Sequence, residues 1–168
     1  MSSGNRVSQA VAASLFAALG LSGPAVAAVA TGNLGVQIQI TAECRVVTAD
    51  LLNFGPHGLL VANIDANSAI TIQCTNGTPF TVGLGPGAGA GATIAVRKMT
   101  GPGGATVNYT LYKEATYTQI WGNTVPAELL AGTGTGANQS IPVYGRVTAQ
   151  TTPAVGQYND TVAIEVTY

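Results

Sequence analysis

The feature of this sequence that most limits its fold is a two-residue alternation of apolar and polar side chains. Successive side chains of a β-strand point to opposite faces, so this alternation predicts strands with one buried face. Glycine, proline, asparagine and threonine interrupt it about every ten residues, a spacing typical of sandwiches and barrels. We therefore predict an all-β fold. Strands are expected at residues 34–41, 51–54, 69–75, 80–84, 93–99, 108–113, 119–121, 141–148 and 161–168.

The first 30 residues differ from the rest and predict an export signal. Arg6 is the only charged residue among them, and a short apolar run follows at residues 10–21. That run is about half of the ~20 residues that a membrane span needs, which disfavours the alternative of a membrane anchor. Small residues at the positions required for cleavage end at Ala27 and Ala30. The sequence thus predicts a signal peptide at residues 1–30 and a secreted chain.

Charge and cysteine content narrow the class of protein further. The chain has 6 basic and 7 acidic residues and lacks a basic patch, which argues against nucleic acid as a partner. The residues after the signal suffice for one domain. Export permits disulfides, so we predict one intrachain bridge, between Cys44 and Cys74, tying the first strand of the sandwich to the second. Two free thiols, or half of a metal site, are the alternative.

The predicted N-terminal strand has one wholly apolar face. Its aliphatic residues share one parity: Leu34, Val36, Ile38 and Ile40. Polar residues and glycine fill the other parity. Two interpretations remain open on this pattern alone: the strand pairs within its own domain, or it covers an exposed edge elsewhere.

The predicted C-terminal strand alternates in the same way. Its apolar positions are Val162, Ile164, Val166 and Tyr168, and the sequence ends with the last of them. We expect this strand to have an unpaired edge beside an uncovered part of the core. Such an edge is a template for pairing with another strand.

Five motifs in fixed order carry a resemblance to a known family. They are Leu52-Asn53-Phe54-Gly55, Ile70-Thr71-Ile72-Gln73-Cys74, the tyrosine-rich region at residues 108–122, Ile141-Pro142-Val143-Tyr144-Gly145 and the C-terminal block at residues 156–168. Together they resemble the spore coat protein U domain family, which includes the pilins of archaic, Csu-type chaperone–usher pili of Gram-negative bacteria. The resemblance extends from about residue 31 to residue 168.

The resemblance implies an immunoglobulin-like β-sandwich that lacks its final strand. In such pili a periplasmic chaperone lends a strand, and the N-terminal segment of the next subunit replaces it at the outer-membrane usher. By this resemblance, residues 31–42 form the donor strand and residues 43–168 the pilin domain. Leu34, Val36, Ile38 and Ile40 would insert into a neighbouring subunit, and Val162, Ile164, Val166 and Tyr168 would border its groove. The implied product is an extracellular homopolymeric pilus that serves adhesion and biofilm formation.

Enzymatic chemistry finds little support in the sequence. His57 is the only histidine and lies in a turn-like Gly-Pro-His-Gly run, and the acidic residues form no spaced pair. No group of residues has metal-ligand spacing, and no cofactor motif is present. The glycine- and alanine-rich loop at residues 85–92 lacks the ending of a phosphate-binding loop. We therefore predict a non-enzyme without metal or cofactor.

The aromatic residues leave one competing function class. Trp121, Tyr109, Tyr112 and Tyr117 could form a sugar-stacking platform, although buried core aromatics explain them better. The leading hypothesis is a structural fibre subunit. The alternative is a free-standing secreted β-sandwich that binds carbohydrate or a host surface, and a secreted hydrolase ranks third.

Overall fold

The computed structural model describes residue 24 and residues 26–168. The predicted signal peptide at residues 1–30 therefore lies for the most part outside the described residues. The chain divides into two units, Met1–Ile38 and Gln39–Tyr168. The described part of the first unit contains neither helix nor strand. All regular structure described below belongs to the second unit.

The second unit is a β-sandwich of eight strands with two short 3-10 helices, at Pro102–Gly104 and Pro126–Glu128. The strands are β1 (Cys44–Ala49), β2 (Ile64–Cys74), β3 (Pro79–Leu84), β4 (Arg97–Thr100), β5 (Thr106–Tyr112), β6 (Leu130–Thr133), β7 (Asn138–Val147) and β8 (Ile164–Thr167). One sheet has the order β1-β2-β7-β5-β4, the other the order β6-β3-β8. All pairs are antiparallel.

In the described residues, no helix is long and apolar enough to cross a membrane.

The core lies between the two sheets and is formed by the apolar positions of the alternating sequence. Burial alternates along β7, where Ile141, Val143 and Val147 point inward. Trp121 is fully buried, and its indole Nε1–H donates to the carbonyl of Val82 on β3 over 2.9 Å. Each fully buried aliphatic side chain contributes about 1.5–3 kcal/mol, so this shared face is the main source of cohesion between the sheets.

The predicted disulfide is confirmed. Cys44, the first residue of β1, is bonded to Cys74, the last residue of β2, and the two face each other in register. Closing a loop of this length, with a sequence separation of 30, stabilises the fold by ~3–4 kcal/mol in the loop-entropy model. The bond therefore secures an edge strand to the long strand beside it.

Several strand predictions were wrong. Residues 51–54 and 119–121 form no strand, whereas β1 and β6 were not predicted. Residues 34–41 form no strand within their own chain, and their pairing with a neighbouring subunit stays a prediction. Residues 51–54 form a loop in which Leu52 and Phe54 pack on the core while Leu51 is exposed, and residue 120 makes only an isolated bridge. Most side chains of β1 are exposed on both faces, so its sequence shows no alternation. Backbone pairing with β2, rather than burial, defines this strand.

Candidate functional site

The open side of the sandwich lies between β1 and β8. β1 is at one edge of the five-stranded sheet, β8 is at one edge of the three-stranded sheet, and the two strands lie side by side. Among the described residues, neither strand has a partner on its outer edge. The backbone amides and carbonyls of such an edge are available to another strand.

A groove with an apolar floor opens at this side. A cavity of about 350 Å3 lies between the end of β1 and the residues that lead into β8. Core residues form its floor, among them Ile70, Leu84 and Val143. Its wall on the β8 side is formed by Val162 and Ile164, which are only partly buried. The floor residues are themselves buried, so solvent meets apolar side chains of the groove mainly at Val162 and Ile164.

The groove continues beyond the end of β1. A second cavity, of about 740 Å3, shares Leu52, Phe54, Met99 and Tyr158 with the first. It extends between the loops at residues 51–60 and 152–159. We refer to the two adjoining cavities together as the edge groove. Leu52 and Phe54 of the loop after β1 both line this groove. Their alternate spacing explains why the loop was predicted as a strand.

The segment that leads into β8 crosses from one sheet to the other. Asn159 exchanges two backbone hydrogen bonds with Thr100 at the end of β4, of 2.8 and 3.1 Å. Gly85, just after β3, donates its N–H to the carbonyl of Ala163 over 2.9 Å. Asp160 lies between these two attachments and lines the edge groove. The sequence alone predicted no role for Asp160.

One buried polar side chain bonds to the crossing, and a second holds the backbone beside it. The hydroxyl of Tyr109 donates to Asp160 Oδ2 over 2.7 Å. Burial, together with this hydrogen bond, raises the pKa of the Tyr109 hydroxyl, so that it remains the donor. Arg97 is fully buried and donates to four backbone carbonyls, including those of Leu84 and Trp121. Burial lowers the pKa of Arg97, and these carbonyls solvate its charge instead of water.

The predicted donor residues are exposed and lie in a segment that is neither helix nor strand. The side chains of Leu34, Val36, Ile38 and Ile40 are 87%, 88%, 82% and 71% exposed. In a strand, their shared parity places all four on one face. Contiguous aliphatic residues with such exposure mark an interaction surface or an aggregation hazard.

The predicted groove-border residues are not equivalent in the structure. Val162 and Ile164 line the edge groove, and Val166 is partly buried opposite Val82 of β3. Tyr168 is 58% exposed and follows the end of β8. His57 lies in an exposed turn at the larger cavity, where its Nε2 donates to the carbonyl of Phe54 over 2.7 Å.

The prediction of buried aromatics is right for Trp121 and Tyr109 and wrong for the other two. Tyr112 and Tyr117 are only partly buried and lie in contact with each other, with ring centroids 5.4 Å apart. The guanidinium carbon of Arg146 lies 3.9 Å from the centroid of Tyr117. The alternation of β5 explains why Tyr109 is buried and Tyr112 is not, because it directs Tyr109 inward and Tyr112 outward.

A carboxylate organises the loop that carries Tyr117. Glu114 Oε1 accepts hydrogen bonds from the hydroxyl and the N–H of Thr118 and from the N–H of Gln119, over 2.6–2.9 Å. The side-chain hydrogen bond from Thr118 is the main cause that lowers the pKa of Glu114 to about 2. Tyr117 itself has a φ of 56°, a conformation that a non-glycine residue adopts only when its surroundings hold it.

We expect this loop to loosen in acid. Because the folded-state pKa of Glu114 is depressed, its stabilising contribution is present above the unfolded pKa near 4.5 and is lost as pH falls through about 2. The protection factors of the amides of Thr118 and Gln119, taken relative to the intrinsic exchange rate at each pH, should fall over that interval. At neutral pH, Glu114→Gln should lower the protection of the same amides, and unchanged protection in that variant would contradict the assignment.

Comparisons with known proteins agree with this architecture. The family model of the spore coat protein U domain matches residues 30–165. Protein U of Myxococcus xanthus is 32% identical over 179 aligned residues, which cover 98% of this chain and 99% of that protein. The chain therefore belongs to the spore coat protein U domain family. This membership makes it a structural protein rather than an enzyme.

A solved structure shares the fold. It is the crystal structure of the CsuC–CsuE chaperone–tip adhesion subunit pre-assembly complex from archaic chaperone–usher Csu pili of Acinetobacter baumannii. A chain of that complex matches with a TM-score of 0.57 at 21% identity. The match covers 77% of this chain but only 40% of the other, so this chain spans less than half of that protein's length.

Proposed function

We propose that this protein is a subunit of an archaic chaperone–usher pilus and that it polymerises by donor-strand exchange. The segment that carries Leu34, Val36, Ile38 and Ile40 enters the edge groove of a neighbouring copy. One observation carries the proposal: the same chain has an exposed aliphatic face of strand length and a sandwich with an open, apolar-floored groove. The aliphatic face needs an apolar surface to cover it, and the groove needs a strand to fill it.

The dimensions of the two surfaces are compatible. Seven residues at positions 34–40, fully extended, span about 23 Å at the strand rise of ~3.3 Å per residue. β1, which borders the groove, has 6 residues and by the same rise spans about 20 Å. A single inserted strand is therefore long enough to pair along β1 or β8 and to extend into the edge groove, whose lining includes Ala49 at the end of β1.

The energy of insertion is large compared with the stability of one domain. Burying four aliphatic side chains at about 1.5–3 kcal/mol each gives ~6–12 kcal/mol. This is an upper estimate, because the free segment already buries part of its surface. A whole domain is stable by only about 5–15 kcal/mol. Insertion therefore accounts for both a durable fibre and a less stable free subunit.

In this proposal the chain reaches the cell surface by the chaperone–usher route. Residues 1–30 act as a signal peptide, residues 31–42 as the donor segment, and residues 43–168 as the pilin domain. A periplasmic chaperone occupies the groove before assembly at an outer-membrane usher, and the fibre extends outside a Gram-negative cell to mediate adhesion and biofilm formation. The solved relative is itself described as a chaperone–subunit complex, which supports a chaperone as partner.

Photocrosslinking tests the exchange directly. A chain with benzoylphenylalanine in place of Ile38 is mixed with an isotope-labelled chain that lacks the probe, and the mixture is irradiated after assembly. We expect mixed dimers whose crosslinks map to groove residues such as Val162 and Ile164. The matched control places the probe at Gln37, on the opposite face of the segment, where groove crosslinks should be much weaker. Crosslinks confined to single chains would contradict the proposal.

A further inference from the structure

The glycine- and alanine-rich loop at residues 85–92, which the sequence left without a role, is held at both ends. Arg97 donates to the carbonyl of Gly85 over 2.8 Å and to that of Ile94 over 3.0 Å. Its guanidinium is buried and reaches across the base of the loop. Lys98 Nζ donates to the carbonyl of Ala90 over 3.4 Å. The loop is therefore attached to β4 rather than projecting freely.

The middle of this loop is attached to Asp160. The N–H of Ala88 donates to Asp160 Oδ1 over 2.7 Å, and the N–H of Thr161 donates to the same oxygen. Gly87 has a φ of +88°, and a Cβ there would overlap the Asp160 carboxylate. A glycine is thus required where the loop meets this side chain. The other oxygen, Oδ2, accepts the hydroxyl of Tyr109.

Asp160 therefore connects the crossing segment to two other parts of the sandwich. Through Tyr109 it contacts β5 of the five-stranded sheet, and through Ala88 it contacts the loop that follows β3 of the other sheet. Its neighbour Asn159 is paired to Thr100 of the first sheet. Only four residues further along the chain from Asp160, β8 begins in the second sheet. β8 is held in its sheet by pairing with β3, and this crossing holds the chain that leads into it.

We propose that Asp160 is a positioning residue for strand uptake: its carboxylate, held by Ala88 and Tyr109, fixes the crossing into β8 and thereby the wall of the edge groove that Val162 and Ile164 form. The glycine- and alanine-rich loop supplies one of the two supports. This inference rests on the proposed function, because it concerns the groove that receives the donor segment.

The physical reason is preorganisation. A strand that enters a fixed groove orders only itself, whereas a strand that enters a loosened groove must also order the crossing that leads into β8. Loss of the carboxylate also leaves a buried tyrosine hydroxyl without its acceptor. Weaker binding of the donor segment should result, through slower uptake and faster release.

The test uses the full chain and a fluorescein-labelled peptide of residues 31–41 as the probe. Anisotropy gives the uptake and release rates at chain concentrations too low for self-association. We expect Asp160→Ala to weaken peptide binding by about tenfold, the change that corresponds to ordering about one further residue on binding. Hydrogen exchange should accelerate from residue 160 to residue 166 and remain unchanged in β2. Tyr109→Phe, which removes only one support, should have a smaller effect in the same direction.

The matched control is Asp65→Ala. Asp65 also accepts two short hydrogen bonds, both from Arg146, but it does not line the edge groove. This variant should bind the peptide like the unmodified chain. If the unmodified chain takes up no peptide, the proposed function fails. If it does, and Asp160→Ala binds as well as Asp65→Ala, the positioning role fails while the proposed function stands. Unfolding of both Asp160→Ala and Tyr109→Phe would also overturn the positioning role, since the contact between these two residues would then hold the whole domain.

Discussion

Replacing Ile38 with aspartate is expected to abolish fibre formation while the subunit still folds. In the proposed assembly this side chain enters the apolar floor of a neighbouring edge groove. A carboxylate there costs several kcal/mol unless it is protonated or withdrawn from the groove. That cost is comparable with the contribution of two aliphatic residues to insertion, and it also disrupts the strand around it. The substituted chain should retain its own groove and therefore its chaperone.

Electron microscopy of fibres and co-purification with the chaperone measure the two outcomes separately. Gln37→Asp is the matched control, because it adds the same charge one residue away on the polar face of the segment. We expect fibres from Gln37→Asp and none from Ile38→Asp, with the chaperone complex present in both. Loss of the chaperone complex in Ile38→Asp would show that the segment belongs to its own core.

A second copy of the donor segment should convert the subunit into a stable monomer. We would fuse residues 31–41 after Tyr168 through a short flexible linker, in a chain whose original N-terminal segment has been removed. Tyr168 directly follows β8 at the groove, so the added segment starts beside the edge that it has to cover. The expected gain in the free energy of unfolding is several kcal/mol, with ~6–12 kcal/mol as its upper limit.

Urea unfolding measures this gain, and light scattering measures the oligomeric state. The matched control carries aspartate in the fused copy at the position that corresponds to Ile38, and it should lose most of the stabilisation. A fusion no more stable than the chain without any donor segment would rule out strand addition at this groove.

The sequence alone determined those features that depend on local alternation and on which residues are available to pair. β2 and β7 were predicted because one side of each is buried, so that their apolar residues recur every second position. The disulfide followed because Cys44 and Cys74 had no other partner. The ordered motifs pointed to the right family. Two of them lie in β2 and β7, whereas Leu52 and Phe54 pack on the core from a loop.

Only the tertiary structure decided which distant groups meet. Tyr109 and Asp160 are 51 residues apart in sequence, and nothing in either local pattern indicates their hydrogen bond. β1 was not predicted because its pairing with β2, and not burial, defines it. Tyr117 was assigned to the core, yet a loop held by Glu114 turns it toward Arg146 on the outer face. Alternation is a local property of the chain, whereas an open groove and the residues that brace it arise only when two sheets pack together.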